Sequence, residues 1–234
     1  MSIPGWLVSV VYKSLFLAGD TGYRRAHLLS KFVFILSVIL LISVNPERSY
    51  ILVLIVAPIS IIYPGLEWLI AISSLSAFVG LFLAGSAFIL SSIGLFQMTL
   101  YQFTMIVIRT IGISIGIIFS FNIISPIELY NILYSLHLRK IAVVPLILWK
   151  IIPYGLKSIL DSLMVGQLKR ELFTKRIAPA VASMLETSWF IEEYCYWRLK
   201  STPKTPISYE RSYKYTIILL ICALLLAVIQ AKAP

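Results

Sequence analysis

Long apolar runs, each closed by a polar break, recur along this chain and leave few folds open to it. Residues 28–44, 50–63, 68–83, 105–124 and 216–229 carry almost no charge. A run near twenty residues matches the hydrocarbon thickness of a bilayer, where only helices and closed barrels satisfy their own backbone. The chain has 234 residues and is 59% hydrophobic, against roughly 45–50% in an ordinary soluble domain. The expected class is an all-α polytopic membrane protein, with about five transmembrane helices and two or three long amphipathic helices.

The breaks set the organisation. Asn45-Pro46-Glu47-Arg48-Ser49 reads as a tight turn and Pro64-Gly65 as a second break. The stretch 84–104 mixes Gly85, Ser86, Ser91, Ser92, Gly94, Gln97, Thr99 and Gln102 with apolar residues. It is expected to be interfacial or part of a neighbouring span. In the 105–124 run, Arg109 sits close to the start. Gly112 and Gly116 there have the Gly-x-x-x-Gly spacing that lets a second helix approach. Residues 6–16 read as an interfacial helix anchored by Trp6 and Tyr12, and Thr202-Pro203-Lys204-Thr205-Pro206 as a rigid connector. Three regions follow: 1–124 in the membrane, 125–200 outside it, and 201–234 as connector and last span.

Charge orients these regions. The chain holds 20 Lys and Arg against 10 Asp and Glu. Thirteen of the positives lie in 125–215 with seven acids, so this segment is expected on the cytoplasmic side, together with the basic flank Arg24, Arg25 and Lys31. Four crossings then separate the two, and a fifth follows. No basic tract with interleaved aromatics points to nucleic acid. Cys195 and Cys222 form no Cys-x-x-Cys pair and read as small hydrophobes. His27 and His137 stand alone, and Glu192-Glu193 is expected to point to different faces of a helix. No spacing suits a metal, a phosphate loop or a catalytic triad, so no cofactor is expected in this chain.

The segment 125–200 is helix-patterned but charged. Ser125-Pro126-Ile127-Glu128 reads as a helix start, with Ser125 as cap, Pro126 in the first helical position and Glu128 returning a bond to the cap. A second helix, from about Val143, carries an apolar stripe of Leu148, Ile152, Ile159 and Leu163. Lys150, Lys157 and Asp161 share one flank.

The run from Ser125-Pro126-Ile127-Glu128-Leu129 to Trp149-Lys150-Ile151-Ile152-Pro153 resembles the cytoplasmic part of the T component of energy-coupling factor (ECF) transporters, the CbiQ/EcfT-like family. That family shows a Thr/Ser-Pro-x-Glu-Leu opening and an (Arg)-Phe-Ile-Pro-like block. An Ala-Arg-Gly-like triplet closes each of its two coupling helices. Here the corresponding triplets are Lys169-Arg170-Glu171, its Arg 17 positions after Pro153 (170 − 153), and Trp197-Arg198-Leu199, its Arg 19 positions after Pro179 (198 − 179). The arginines match, and larger residues replace the small neighbours.

The resemblance implies a non-catalytic scaffold in a prokaryotic cell membrane, part of a vitamin or metal-ion uptake transporter. Its partners would be two ABC-type ATPases, which hold ATP and magnesium, and a small substrate-binding membrane subunit. Arg170 and Arg198 would dock on the ATPases. The stripe Leu148, Ile152, Ile159 and Leu163 is expected to be buried against the membrane partner or the chain's own spans. The alternatives are a polytopic membrane enzyme of lipid or isoprenoid type, for which Glu67, Glu128 and Asp161 are scattered with no motif linking them, and a structural subunit of another membrane complex.

Overall fold

A computed structural model describes residues 9–10, 21–94, 97–169, 173–200, 207 and 210–231. Most of the expected interfacial helix 6–16 and the whole connector 202–206 lie outside the described residues. Every regular element among them is helical. In chain order these are α1 (Leu28–Val44), α2 (Tyr50–Ile62), α3 (Leu66–Ser92), α4 (Leu100–Asn122), α5 (Pro126–Ser135), α6 (Arg139–Leu168), α7 (Phe173–Lys200) and α8 (Tyr213–Ala231). The chain divides into two compact units, one of residues 1–124 with 210–234 and one of 125–209.

The first unit holds the apolar helices. Among them α3, α4 and α8 are long and apolar enough to cross a membrane, while α1 and α2 are apolar but shorter, 17 and 13 residues. The polar breaks act as expected at two places. Pro46 opens a short 3-10 turn between α1 and α2, and Gly65 precedes α3 at φ 117, which suits only glycine.

Most of the mixed stretch 84–104 joins the neighbouring helices, one of the two places expected for it. Residues up to Ser92 prolong α3, which is one helix of 27 residues, and residues from Leu100 open α4. Ser86 and Ser92 donate to the carbonyls of Leu83 and Phe88 in the turn before them, so their hydroxyls do not interrupt the helix. The start of α4 is fixed by a capping box. The Thr99 hydroxyl accepts from the Gln102 N–H at 3.3 Å, and the Gln102 side chain accepts from the Thr99 N–H at 2.9 Å. Arg109 is therefore nine residues inside α4 rather than close to its start (109 − 100).

Close packing is built on glycines. A β-carbon at Gly112 would collide with the Ser49 carbonyl oxygen, and one at Gly116 would stand 3.0 Å from Leu52 and 3.2 Å from Val38. The Gly-x-x-x-Gly spacing thus seats α4 against the start of α2 and the middle of α1. On another face, Gly80 of α3 meets Val107 and Thr110 of α4. Because α2 begins level with Gly112, the first twelve residues of α4 (112 − 100), about 18 Å of helix, run past it. The end of α3 runs beside them, and Phe88 and Phe103 meet edge to face there.

At the other end of the bundle, Phe119 is ringed by Tyr23, Phe34 and Trp68, at centroid distances of 5.5, 5.8 and 6.2 Å. Arg24 is buried there. Its Nε donates to the Asn122 carbonyl at 2.9 Å and a terminal nitrogen to the Asn122 side-chain oxygen at 3.3 Å. A cation thus closes the C-terminus of α4. Lys31, also buried, donates to the Arg24 carbonyl. The His27 ring accepts from the Leu29 N–H as the cap of α1, and the His27 N–H donates to Thr216 at 2.9 Å. The flank Arg24…Lys31 therefore ties helices together as well as carrying charge.

The second unit is a short helix and a long hairpin. Ser125 has the extended backbone of a cap and Pro126 takes the first turn, but the Ser125 hydroxyl makes no capping bond. Ser125 and Glu128 are buried and held by other contacts, so the expected reciprocal pair does not form. α5 closes in a Schellman arrangement. The Leu138 N–H donates to the Leu133 carbonyl and the His137 N–H to that of Tyr134, with His137 at φ 62 where glycine is usual. α6 begins at Arg139, four residues before the expected start, and continues through Pro145 and Pro153.

Candidate functional site

The faces and ends of α6 and α7 form the candidate coupling surface. α6 turns Ala142, Val143 and Ile147 inward, where they join Tyr130 of α5 in a small core. Tyr194 of α7 packs against that core. Ile147 lies 21 residues before the end of α6 (168 − 147), and Tyr194 lies 21 residues after the start of α7 (194 − 173). Residues near the start of α6 and near the end of α7 meet in one core, so the two helices run antiparallel. The return segment is fixed to α5 by Asn131, which donates to and accepts from the backbone of Ile207, both at 3.0 Å.

This packing selects the inner face of α6. Leu148 is 49% exposed and Ile152 39%, so neither is covered by α5 or α7. α6 is apolar on two faces, and α5 and α7 occupy the one through Val143, Ile147 and Ile151. The side chains of Ile159 and Leu163 lie outside the described residues. Lys157 and Asp161 are exposed on α6, as a solvated flank would be.

The hairpin geometry separates the two arginine triplets. Lys169 is exposed in the turn after α6, while Arg170 and Glu171 lie outside the described residues. Trp197, Arg198 and Leu199 occupy the last turn of α7, at the far end of the hairpin. Trp197 is exposed, and the Lys200 ammonium stands 5.4 Å from its ring and 5.8 Å from that of Tyr196. Such cation–π contacts hold a charge at the helix end without a carboxylate. The side chains of Arg198 and Leu199 are outside the described residues.

An aromatic surface on α7 went unread in the sequence. Trp189 is 80% exposed and Phe190 76%. Trp189, Glu192, Glu193 and Tyr196 line one shallow groove, so the two carboxylates share a surface rather than facing apart. The available signal was the spacing 189, 192, 193, 196, which is one side of a helix. No group of three or more metal-ligating side chains occurs among the described residues. Comparison of the chain with family models, with curated proteins and with solved structures gives no match.

Proposed function

We propose that the chain is the transmembrane scaffold of an ATP-driven uptake transporter of the ECF type. It would link two cytoplasmic ABC-type ATPases to a small substrate-binding membrane subunit for a vitamin or metal ion. The observation that carries this reading is the antiparallel pairing of α6 and α7. A 30-residue helix is about 45 Å long, so the turn after α6 and the last turn of α7 are separate docking points, one for each ATPase. The uncovered Leu148 and Ile152, with the aromatic groove of α7, suit an apolar partner between them. The chain itself hydrolyses nothing in this scheme: closure of the ATPase pair moves the hairpin, and the hairpin moves the substrate subunit.

The same reading takes α1, α2, α3, α4 and α8 as five crossings of a prokaryotic cell membrane. α1, α2 and α8 run between the same two ends of the first unit, and α3 and α4 extend beyond the start of α2. One end carries Arg24, Arg25, Lys31, Arg211 and Lys214, and the other Glu47 and Arg48, so the first faces the cytoplasm. At 13 residues, α2 is about 20 Å long, shorter than the hydrocarbon core of about 30 Å, and the bilayer thins beside it.

Purification from native membranes tests the assignment. Two ATPases and one small membrane protein are expected with the wild-type chain. The double variant Arg170→Ala/Arg198→Ala should lose both ATPases, and Arg→Lys should fail as well, since an ammonium cannot make a two-pronged contact. Full retention of ATPase binding and of ATP-driven uptake by the double variant would reject the coupling role.

A further inference from the structure

The outer face of α7 sets acids among aromatic rings. Trp189, Phe190, Tyr196 and Trp197 are all exposed, on a helix already turned to its core through Tyr194. Glu192 and Glu193 lie between the first pair of rings and the second, and both are exposed. At three- and four-residue spacing Glu193 has only those four aromatic residues as neighbours, and Glu192 has Trp189 and Tyr196 with Ser188 and Cys195. No basic residue stands at either spacing. Neither carboxylate makes an ion pair among the described residues, in a chain with 20 basic residues against 10 acidic ones.

This mixture constrains what can cover the helix. Rings of this size gain by burial, and exposed Trp and Tyr are where interfaces draw much of their affinity. Covering Trp189 and Tyr196 also strips water from the carboxylates that share their groove, and a dehydrated carboxylate needs a cation or donors. Hydrocarbon supplies neither. A headgroup ammonium brings a phosphate with it, which two acids repel. A basic side chain of a protein meets both demands, resting on a ring face while it bonds the acid beside it. The same helix already holds one cation on its rings, the Lys200 ammonium, 5.4 Å from Trp197 and 5.8 Å from Tyr196.

We propose that the groove of Trp189, Glu192, Glu193 and Tyr196 receives an arginine or lysine side chain from the protein partner that covers α7. The apolar partner proposed above thereby gains a charged anchor. This rests on that partner and not on the docking of Arg170 and Arg198, so the assays of those arginines leave it untouched.

The full chain, expressed in its native membrane with a photo-crosslinking residue at Leu185 or Ser188, tests it. Each position lies one helical turn before a groove residue, and both should capture the same protein through a segment that contains Arg or Lys. Glu192→Gln/Glu193→Gln should lower the yield about tenfold or more. Trp189→Leu should lower it too, while Trp189→Phe keeps most of it. These three side chains are exposed, so limited proteolysis of 125–209 should be unchanged in each variant. Glu192→Arg/Glu193→Arg combined with basic→Glu in the captured segment should recover the yield, which a misfolded variant would not. Capture of no protein, or of lipid alone, would remove the partner and this proposal together. A captured segment without a basic residue, a yield indifferent to the glutamine pair, or no recovery by the exchanged pair would overturn this proposal and leave the partner standing.

Discussion

The two units solve the burial problem in opposite ways. The first has an extensive core reaching from Leu41 to Leu226, centred on Phe119, with glycines seating its helices. What it leaves exposed, such as Phe78 and Phe82 of α3, lies on helices apolar enough to face lipid. The second has a core of Tyr130, Ala142, Val143 and Ile147 among the described residues, yet it exposes Trp189, Phe190 and Leu148 beside charged side chains. Apolar exposure of the first kind is compatible with lipid. The second kind, mixed with charge, fits the protein partner proposed above.

Substitutions can break this contrast unit by unit. The largest effect is expected at Gly112. Gly112→Ala drives a methyl into the Ser49 carbonyl and should cost about 1–3 kcal/mol, with Gly112→Ile abolishing the folded first unit. Gly85→Ala, with open space around it, should leave thermal unfolding in detergent unchanged or slightly raised. Equal effects at both glycines would mean that the first unit is not tightly packed. Next comes Arg24→Ala, which strips the end of α4 of its charged donor. A loss of about 2–3 kcal/mol is expected in the same assay, and Arg24→Lys should recover only part of it.

In the second unit, Ile147→Ala should cost about 2 kcal/mol. Limited proteolysis should open 125–209 while fragments of the first unit stay resistant. Leu148→Asp, one position along, should leave proteolysis unchanged and release the apolar partner instead. If it opened the hairpin, the uncovered face would be part of the fold. The smallest effect is His137→Gly. Glycine relieves the left-handed backbone at the end of α5 and should raise the stability of the second unit by about 1 kcal/mol, read by chemical denaturation.

The sequence was most legible where the backbone had no choice. Pro46, Gly65 and Pro126 marked helix boundaries that the structure keeps, because proline restricts φ and lacks a donor and only glycine readily takes the φ of 117 before α3. It was least legible where composition imitates a boundary. Ser86 and Ser92 sit inside α3, because a hydroxyl that bonds back to its own helix is at home inside one. The Thr99-x-x-Gln102 box was the true marker there. The inward face of α6 was beyond periodicity, since 143, 147, 151 and 148, 152 are both apolar series, and only the neighbours α5 and α7 select between them. The roles proposed for Arg170 and Arg198 would depend on another protein's surface, which no periodicity encodes.

The Asn131–Ile207 pair has a consequence for how such a protein changes over generations. Asn131 lies six residues after Ser125 (131 − 125), about 9 Å along α5, so the beginning of the second unit and Ile207 near its end are stitched side by side. A segment whose two ends meet is inherited as a cassette: it can be lengthened, shortened or exchanged without asking the helices on either side to move apart. The apolar bundle and the hairpin are then free to drift at different rates, the one held by glycine contacts that tolerate no added carbon, the other by the thinner core around Tyr130 and Ile147.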